Sequence, residues 1–254
     1  MNATTAVFLS VRDKATRLPG KVVHPICGRP AIEHLIDRVK QAHEPDMVVL
    51  TTSTHRGDDG LEAIAKKNGI RCFRGSEDDK LVRYRDAAFA HSVDFFAVVD
   101  GDDLFADSVF IDQIVGTWKK ERGDYIIVDG LPLGATAFGV DRQALIKVID
   151  RKAEDNTEVW GGYFTNFGGL QCRFLSPENS NFARPEWRMT LDYPEDLAFF
   201  CAVFDALYRP GQVFSFDEIV RFLNEHPEVA ALNRDSQKKY EENLAKAAPV
   251  RFDS

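Results

Sequence analysis

No apolar run in this chain approaches the roughly 18 residues needed to cross a bilayer, so no membrane-spanning helix is expected. Cysteine is scarce and scattered. Cys27, Cys72, Cys172 and Cys201 form no C-x-x-C pair, which argues against a disulfide scaffold and a cysteine zinc site and suits a reducing cytoplasm. Net positive charge is missing too: 32 Lys+Arg stand against 40 Asp+Glu, a formal charge of −8. General nucleic-acid binding needs a basic surface to release phosphate counterions, so that class is disfavoured. The six histidines lie at scattered positions without ligand spacing and are assigned no catalytic role. What the chain does have is core material. Its 254 residues are 44% apolar and include 19 Phe, 3 Trp and 6 Tyr, which excludes a disordered chain. No repeat, low-complexity tract or linker marks a boundary, so one domain over 1–254 is expected.

The first 128 residues alternate strand and helix. Residues 6–11 read as a buried strand rather than a signal peptide, because no basic region precedes them. Ile32, Leu35, Ile36 and Val39 follow at the i, i+3, i+4, i+7 spacing of an amphipathic helix. Strands are expected at 47–52, 70–73, 95–99 and 125–128, with helices at 61–68, 78–91 and 108–121. Alternation with short connections predicts an α/β fold, a mostly parallel mixed sheet covered by helices on both faces. The glycine-rich stretch 130–187 reads as antiparallel pieces plus a helix at 142–152. The last 60 residues read as a helical C-terminus.

In open α/β sheets, ligands bind beyond the carboxyl ends of the strands, and three segments fall there. The loop after strand one carries Arg12, Lys14, Arg17 and Lys21 within ten residues. Cations with a glycine-exposed backbone suit a polyphosphate, although a solvated basic loop would read the same. The loop matches neither a dinucleotide fingerprint nor a P-loop. Asp100-Gly101-Asp102-Asp103 after the fourth strand could be relieved by a hard divalent cation or could simply be an acidic turn. Asp192 stands before Pro194 at a helix start, where an N-cap role is the simpler reading.

Taken together, Arg12-x-x-Ala15-Thr16-Arg17-Leu18-Pro19-Gly20-Lys21 resembles the R-x-x-S-x-R-L-P-G-K signature of cytidylyltransferases that make CMP-activated sugars. These are the CMP-Kdo and CMP-acylneuraminate synthetases and the related spore-coat polysaccharide protein F branch. Arg74-Gly75-Ser76-x-x-Asp79-x-Leu81-x-Arg83-Tyr84 and Arg188-x-Thr190-x-Asp192-x-Pro194-Glu195-Asp196-Leu197 resemble two further family segments. The resemblance implies a Rossmann-like nucleotidyltransferase (nucleotide-diphospho-sugar transferase) fold. Its nucleotide-binding half would be 1–128, its acceptor and dimer region 129–192, and its C-terminal helices 193–254. It implies Mg²⁺-dependent transfer of CMP from CTP to an acidic sugar or related small-molecule acceptor, with release of pyrophosphate, by a cytoplasmic homodimer.

By position, Arg12, Lys21 and Asp102 would be catalytic, and Asp102 and Asp192 would hold the metal. Arg12, Ala15, Thr16, Arg17, Lys21, Thr52, Ser53, Arg74, Ser76, Asp79 and Arg83 would bind the nucleotide. Thr136, Glu158, Trp160, Tyr163, Asn166 and Arg188 are candidates for the acceptor side, although the aromatics among them would read the same as core or dimer interface. Ala15 departs from the family serine, and the acceptor segments diverge from the branch pattern. Two other readings stay open. Asp100-Gly101-Asp102 reads as the D-x-D of a GT-A-type glycosyltransferase using a nucleotide-sugar, and the departures also fit a non-catalytic nucleotide-binding homologue.

Overall fold

The computed structural model describes residues 3–13, 17–244 and 250–253. The alternating apolar runs become β1 (Thr5–Ser10), a two-rung hairpin β2 (Pro25–Ile26) and β3 (Arg29–Pro30), α1 (Ala31–Val39), β4 (Met47–Ser53), α2 (Asp59–Lys67) and β5 (Arg71–Gly75). They continue as α3 (Lys80–Ala90), β6 (Phe95–Asp100), α4 (Ser108–Glu121), β7 (Tyr125–Val128), β8 (Phe138–Asp141) and α5 (Arg142–Ile149). The rest of the chain adds α6 (Gly162–Thr165), β9 (Cys172–Leu175), α7 (Pro194–Leu207), α8 (Phe216–Glu225), α9 (Pro227–Ala230) and α10 (Arg234–Leu244).

Seven strands form one sheet in the order β5-β4-β1-β6-β8-β7-β9. All pairings are parallel except those of β8, which runs antiparallel to both β6 and β7. This is the fold class that strand–helix alternation predicts. The two faces are covered separately, because side chains alternate along each strand. Val7 and Leu9 join one apolar cluster with α1, α4, α7 and α8. Ala6 and Phe8 join the other with α3, α5 and Trp160. Phe8 stacks on Phe96 at 4.3 Å between ring centroids.

The expected element boundaries hold within a few residues, with two exceptions. The loop at 12–28 contains the β2–β3 hairpin, whose two turn residues Cys27 and Gly28 both have positive φ, the geometry of a type I′ turn. The last helix is expected at 236–247, and its residues 245–247 lie outside the described residues.

The topology fixes where a ligand can sit. From β1 the chain moves to β4 and β5 on one side, then returns to β6 on the other side of β1. The strand order therefore reverses between β1 and β6, whose carboxyl ends stay paired with Ser10 in register with Asp100. Gly101 lets these two exits lie together, since a Cβ there would meet Val11 Cγ2 at 2.8 Å.

Candidate active site

A cleft of about 740 Å³ opens at that switch point. Its floor is the β1 exit, with Ser10, Val11 and Arg12, and the β6 exit, with Asp100 to Asp103. Arg17 and Lys21 enter from the first loop, Lys80 and Arg83 from α3, and Thr190 and Asp192 from the segment before α7.

Lys21 lies at the centre of the charged wall. Its Nζ donates to Asp102 Oδ2 and, at 2.9 Å, to Asp192 Oδ1. Two acids 90 residues apart thus share one ammonium. The backbone explains why. The Leu191 N–H donates to the Asp102 carbonyl at 2.9 Å, and the Met189 N–H donates to the Leu133 carbonyl at 2.7 Å. Gly134 makes room for this crossing: its φ is +89°, and a Cβ would meet the Met189 carbonyl oxygen at 2.4 Å.

Asp192 receives two further cations. Arg17 Nη2 donates to Oδ1 at 2.7 Å, and Arg188 Nη2 to Oδ2 at 2.9 Å. Burial would raise the Asp192 carboxyl, but Lys21, Arg17 and Arg188 outweigh it and hold it below the usual range. Burial likewise works against the Lys21 ammonium, yet Asp102 and Asp192 raise it above its ordinary value. The N-cap reading of Asp192 gives way. Tyr193 caps α7, and Asp196 turns back to accept from the Asp192 and Tyr193 backbone N–H groups, both at 2.9 Å. Asp192 is thereby left free to face the cleft.

A second charged group lies across the cleft. Lys80 Nζ is 3.2 Å from Asp100 Oδ1 and 3.2 Å from Glu158 Oε1. Arg12 grips the other Glu158 oxygen and the Glu77 carbonyl. Burial would raise the Glu158 carboxyl, but Lys80 and Arg12 lower it. Asp103 is the opposite case. Burial, with Asp102 and Asp100 nearby, pushes its carboxyl well above the usual range.

Of the expected nucleotide residues, Arg12, Arg17, Lys21 and Arg83 line this cleft. Ser53 lines an adjoining recess of about 230 Å³ that shares Arg12. Thr52, Arg74, Ser76 and Asp79 line neither space. Thr52 is buried in the sheet, and Arg74 donates to the Ser53 and His55 carbonyls. The Ser76 hydroxyl accepts from the Asp79 N–H. Asp79 caps α3 and accepts from Thr157 Oγ1 at 2.8 Å and Lys152 Nζ at 2.7 Å, so it fastens the 150s loop beside the helix. Ala15 and Thr16 lie outside the described residues.

On the acceptor side, Thr136 and Glu158 line the cleft. Trp160 and Tyr163 require correction. Both are buried in the second core, where Trp160 packs edge-to-face on Tyr84, Tyr125, Phe138 and Phe164. Asn166 is exposed at the C-cap of α6 and does not border the cleft. Arg188 is 3% exposed and binds Asp192 and Asp196 instead of lining the wall. Sequence reasoning missed Lys80, and also Tyr240, Asn243 and Leu244 of α10, which line the cleft. Their signal is i, i+3, i+4 spacing in an otherwise polar helix, too short a pattern to be read alone.

The donor set bears on metal. Among the described residues no group of three or more His, Cys, Asp or Glu converges on a cation position. Two carboxylates that already share one cation fit Mg²⁺, which takes one or two carboxylates and fills its shell from phosphate and water.

Such a cleft, with a basic loop facing paired acids at a parallel-sheet switch point, is that of a nucleotidyltransferase. The cytidylyltransferase family model matches residues 6–166, and the chain belongs to that family. Spore coat polysaccharide biosynthesis protein SpsF of Bacillus subtilis is 30% identical over 231 residues, covering 88% of this chain and 95% of that protein. The 3-deoxy-manno-octulosonate cytidylyltransferase of Anaeromyxobacter sp. strain K is 27% identical over 153 residues, 59% of this chain and 60% of that one. A cytidylyltransferase structure from Leptospira borgpetersenii superposes with a TM-score of 0.81 at 23% identity, covering 90% of this chain and 97% of that one. A CMP:2-keto-3-deoxy-manno-octonic acid synthetase complexed with CTP shares the fold at a TM-score of 0.60 and 12% identity, over 80% of this chain and 99% of that one.

Proposed function

We propose that this enzyme transfers CMP from CTP to an acidic sugar or related metabolite, with Mg²⁺, in surface-polysaccharide biosynthesis. The observation that carries the reading is Lys21 held between Asp102 and Asp192 in the switch-point cleft. An acceptor hydroxyl oxygen forms the new bond to the α-phosphorus of CTP and gives up its proton to solvent, the bond from that phosphorus to the bridging oxygen breaks, and pyrophosphate leaves. Such transfer needs positioning and charge stabilisation more than covalent help. Arg12, Arg17 and Lys21 would stabilise the charge that grows on the leaving pyrophosphate. Asp102 and Asp192 would hold the metal, which when bound neutralises phosphate charge. Arg188 keeps Asp192 ionised and aimed, through contacts at 2.9 Å and 3.0 Å to Asp192 and Asp196.

The acidic acceptor and the surface-polysaccharide setting draw on the printed names of SpsF and the octulosonate enzyme. The glycosyltransferase reading is disfavoured, since the cytidylyltransferase family model matches residues 6–166. The intact cationic and acidic groups also favour catalysis over a non-catalytic role. No helix among the described residues is long and apolar enough to cross a membrane. We take the working unit as a cytoplasmic homodimer; support comes from Phe174, 60% exposed on the edge strand β9.

The test is pyrophosphate release over a panel of nucleoside triphosphates and acidic sugars, with CTP affinity read by calorimetry in Mg²⁺. CTP-selective binding is expected. Equal binding of UTP and GTP, or no binding, refutes the reading.

A further inference from the structure

We propose that Lys80, Arg83 and Glu158 form a subsite that selects the acceptor by an anionic group, and that the Glu158 carboxylate stands where that group goes. The inference rests on the cytidylyltransferase reading of the same cleft and adds which residues discriminate the acceptor.

Three observations carry it. First, Lys80 is 8% exposed yet borders the cleft, and its ammonium lies 3.2 Å from one Glu158 oxygen. A buried cation at a cleft wall needs an anion, and Asp100 alone answers it from the floor side. Second, Arg83 is fully buried and also borders the cleft, and its Nη1 donates to the Ser76 carbonyl at 2.6 Å. Its Nε and Nη2 are buried without a hydrogen-bond partner among the described residues. Unmet guanidinium N–H groups beside a cavity suit a ligand oxygen. Third, the Glu158 side chain is 52% exposed while its neighbour Thr157 is fully buried. Thr157 Oγ1 donates to Asp79 and accepts from the Leu81 N–H, so the backbone is pinned while the half-exposed carboxylate is held by the ion pairs that an external anion would replace. A side-chain anion held by two cations at the open end of a cleft outlines the position of an external one.

Glu158 then acts as a selectivity element. A neutral acceptor gains nothing by displacing it, whereas an anionic acceptor replaces its two ionic contacts and reaches Arg83 as well. The shared chemistry is a carboxylate or a phosphate group on the acceptor.

The experiment uses the full chain with saturating CTP and Mg²⁺, so that the triphosphate contacts are filled. Pyruvate and inorganic phosphate are titrated by calorimetry, with methyl pyruvate as the uncharged control. E158Q removes the internal anion at an exposed position and is expected to fold. The Arg12 and Lys80 contacts to Glu158 are partly solvent-screened, so E158Q should tighten the anion by about three- to fivefold. Adding K80M to E158Q should abolish that gain, and if the double variant does not fold, the E158Q comparison decides alone. A pyruvate response without a phosphate response assigns a carboxylate, and the reverse assigns a phosphate. Equal affinities in wild type and E158Q, equal binding of methyl pyruvate, or no anion binding at all overturns the subsite. Failure of CTP itself to bind overturns the broader reading instead, and the same titration distinguishes the two.

Discussion

Replacing Lys21 with methionine tests the charged wall most directly. The variant keeps an unbranched side chain about one atom shorter and deletes the ammonium that Asp102 and Asp192 share. The Lys21 and Asp192 side chains are 12% and 6% exposed, so the contact is mostly desolvated. Coulomb attraction at 2.9 Å in an effective dielectric near 20 is about 6 kcal/mol, but most of it offsets the desolvation of the two charges. Breaking a buried pair from one side costs about 3 to 5 kcal/mol. Here Arg17 and Arg188 still hold Asp192, so the net loss should be nearer 2 kcal/mol. For a domain of this size that lowers Tm by about 4 to 8 °C.

Magnesium should then act differently on the two proteins. The variant leaves Asp102 and Asp192 without their shared cation, so millimolar Mg²⁺ should raise its Tm more than that of the wild type. Catalysis should not recover with stability. Loss of a charge aimed at the developing transition state costs about 10²- to 10³-fold in kcat. The assays are thermal melts with and without Mg²⁺, and pyrophosphate release at saturating CTP. A K21M enzyme within threefold of wild-type kcat, or a Tm response to Mg²⁺ no larger than that of the wild type, refutes the reasoning.

Three other outcomes follow from the same geometry. Gly134→Ala should destabilise by about 3 kcal/mol or more, because a positive φ and a backbone oxygen at 2.4 Å leave the methyl nowhere to go; a denaturant melt checks this. Trp160→Phe should lower stability by about 1 to 3 kcal/mol while leaving the KM for the acceptor unchanged, since Trp160 is core; an altered KM would return it to the site. Asp58 is held below the usual carboxylate range: burial would raise it, but the Asp13 N–H and the Ser53 hydroxyl outweigh that. Its contribution is therefore present above its unfolded pKa and is lost as pH falls through the lower folded value. Asp58→Asn should flatten the acid limb of stability between about pH 4 and 2, measured by melts across that window.

The α/β class, the strand–helix order and the basic loop were legible in the sequence because each depends on local pattern. Apolar runs such as 95–99 and the i, i+3, i+4 spacing of Ile32, Leu35 and Ile36 encode strand and helix without reference to distant residues. Arg12, Arg17 and Lys21 lie within ten residues, so their clustering needed no fold either. Asp192 was legible only through its motif, since chain pattern alone made it a helix cap. The fold gave that cap to Tyr193 and Asp196 and turned Asp192 toward Lys21.

Tertiary structure alone decided which side chains share the cleft. Trp160 and Tyr163 look like a ligand-binding pair in sequence, but the antiparallel return of β8 and the packing of α5 leave a gap in the second core that those rings fill. Lys80 looks like an ordinary helix surface cation, yet the β6 exit and the 150s loop close over it from both sides. Local sequence sets backbone preference and the face of each element, whereas the meeting of residues 21, 102 and 192 depends on the crossing at the switch point, where no residue is near its partner along the chain.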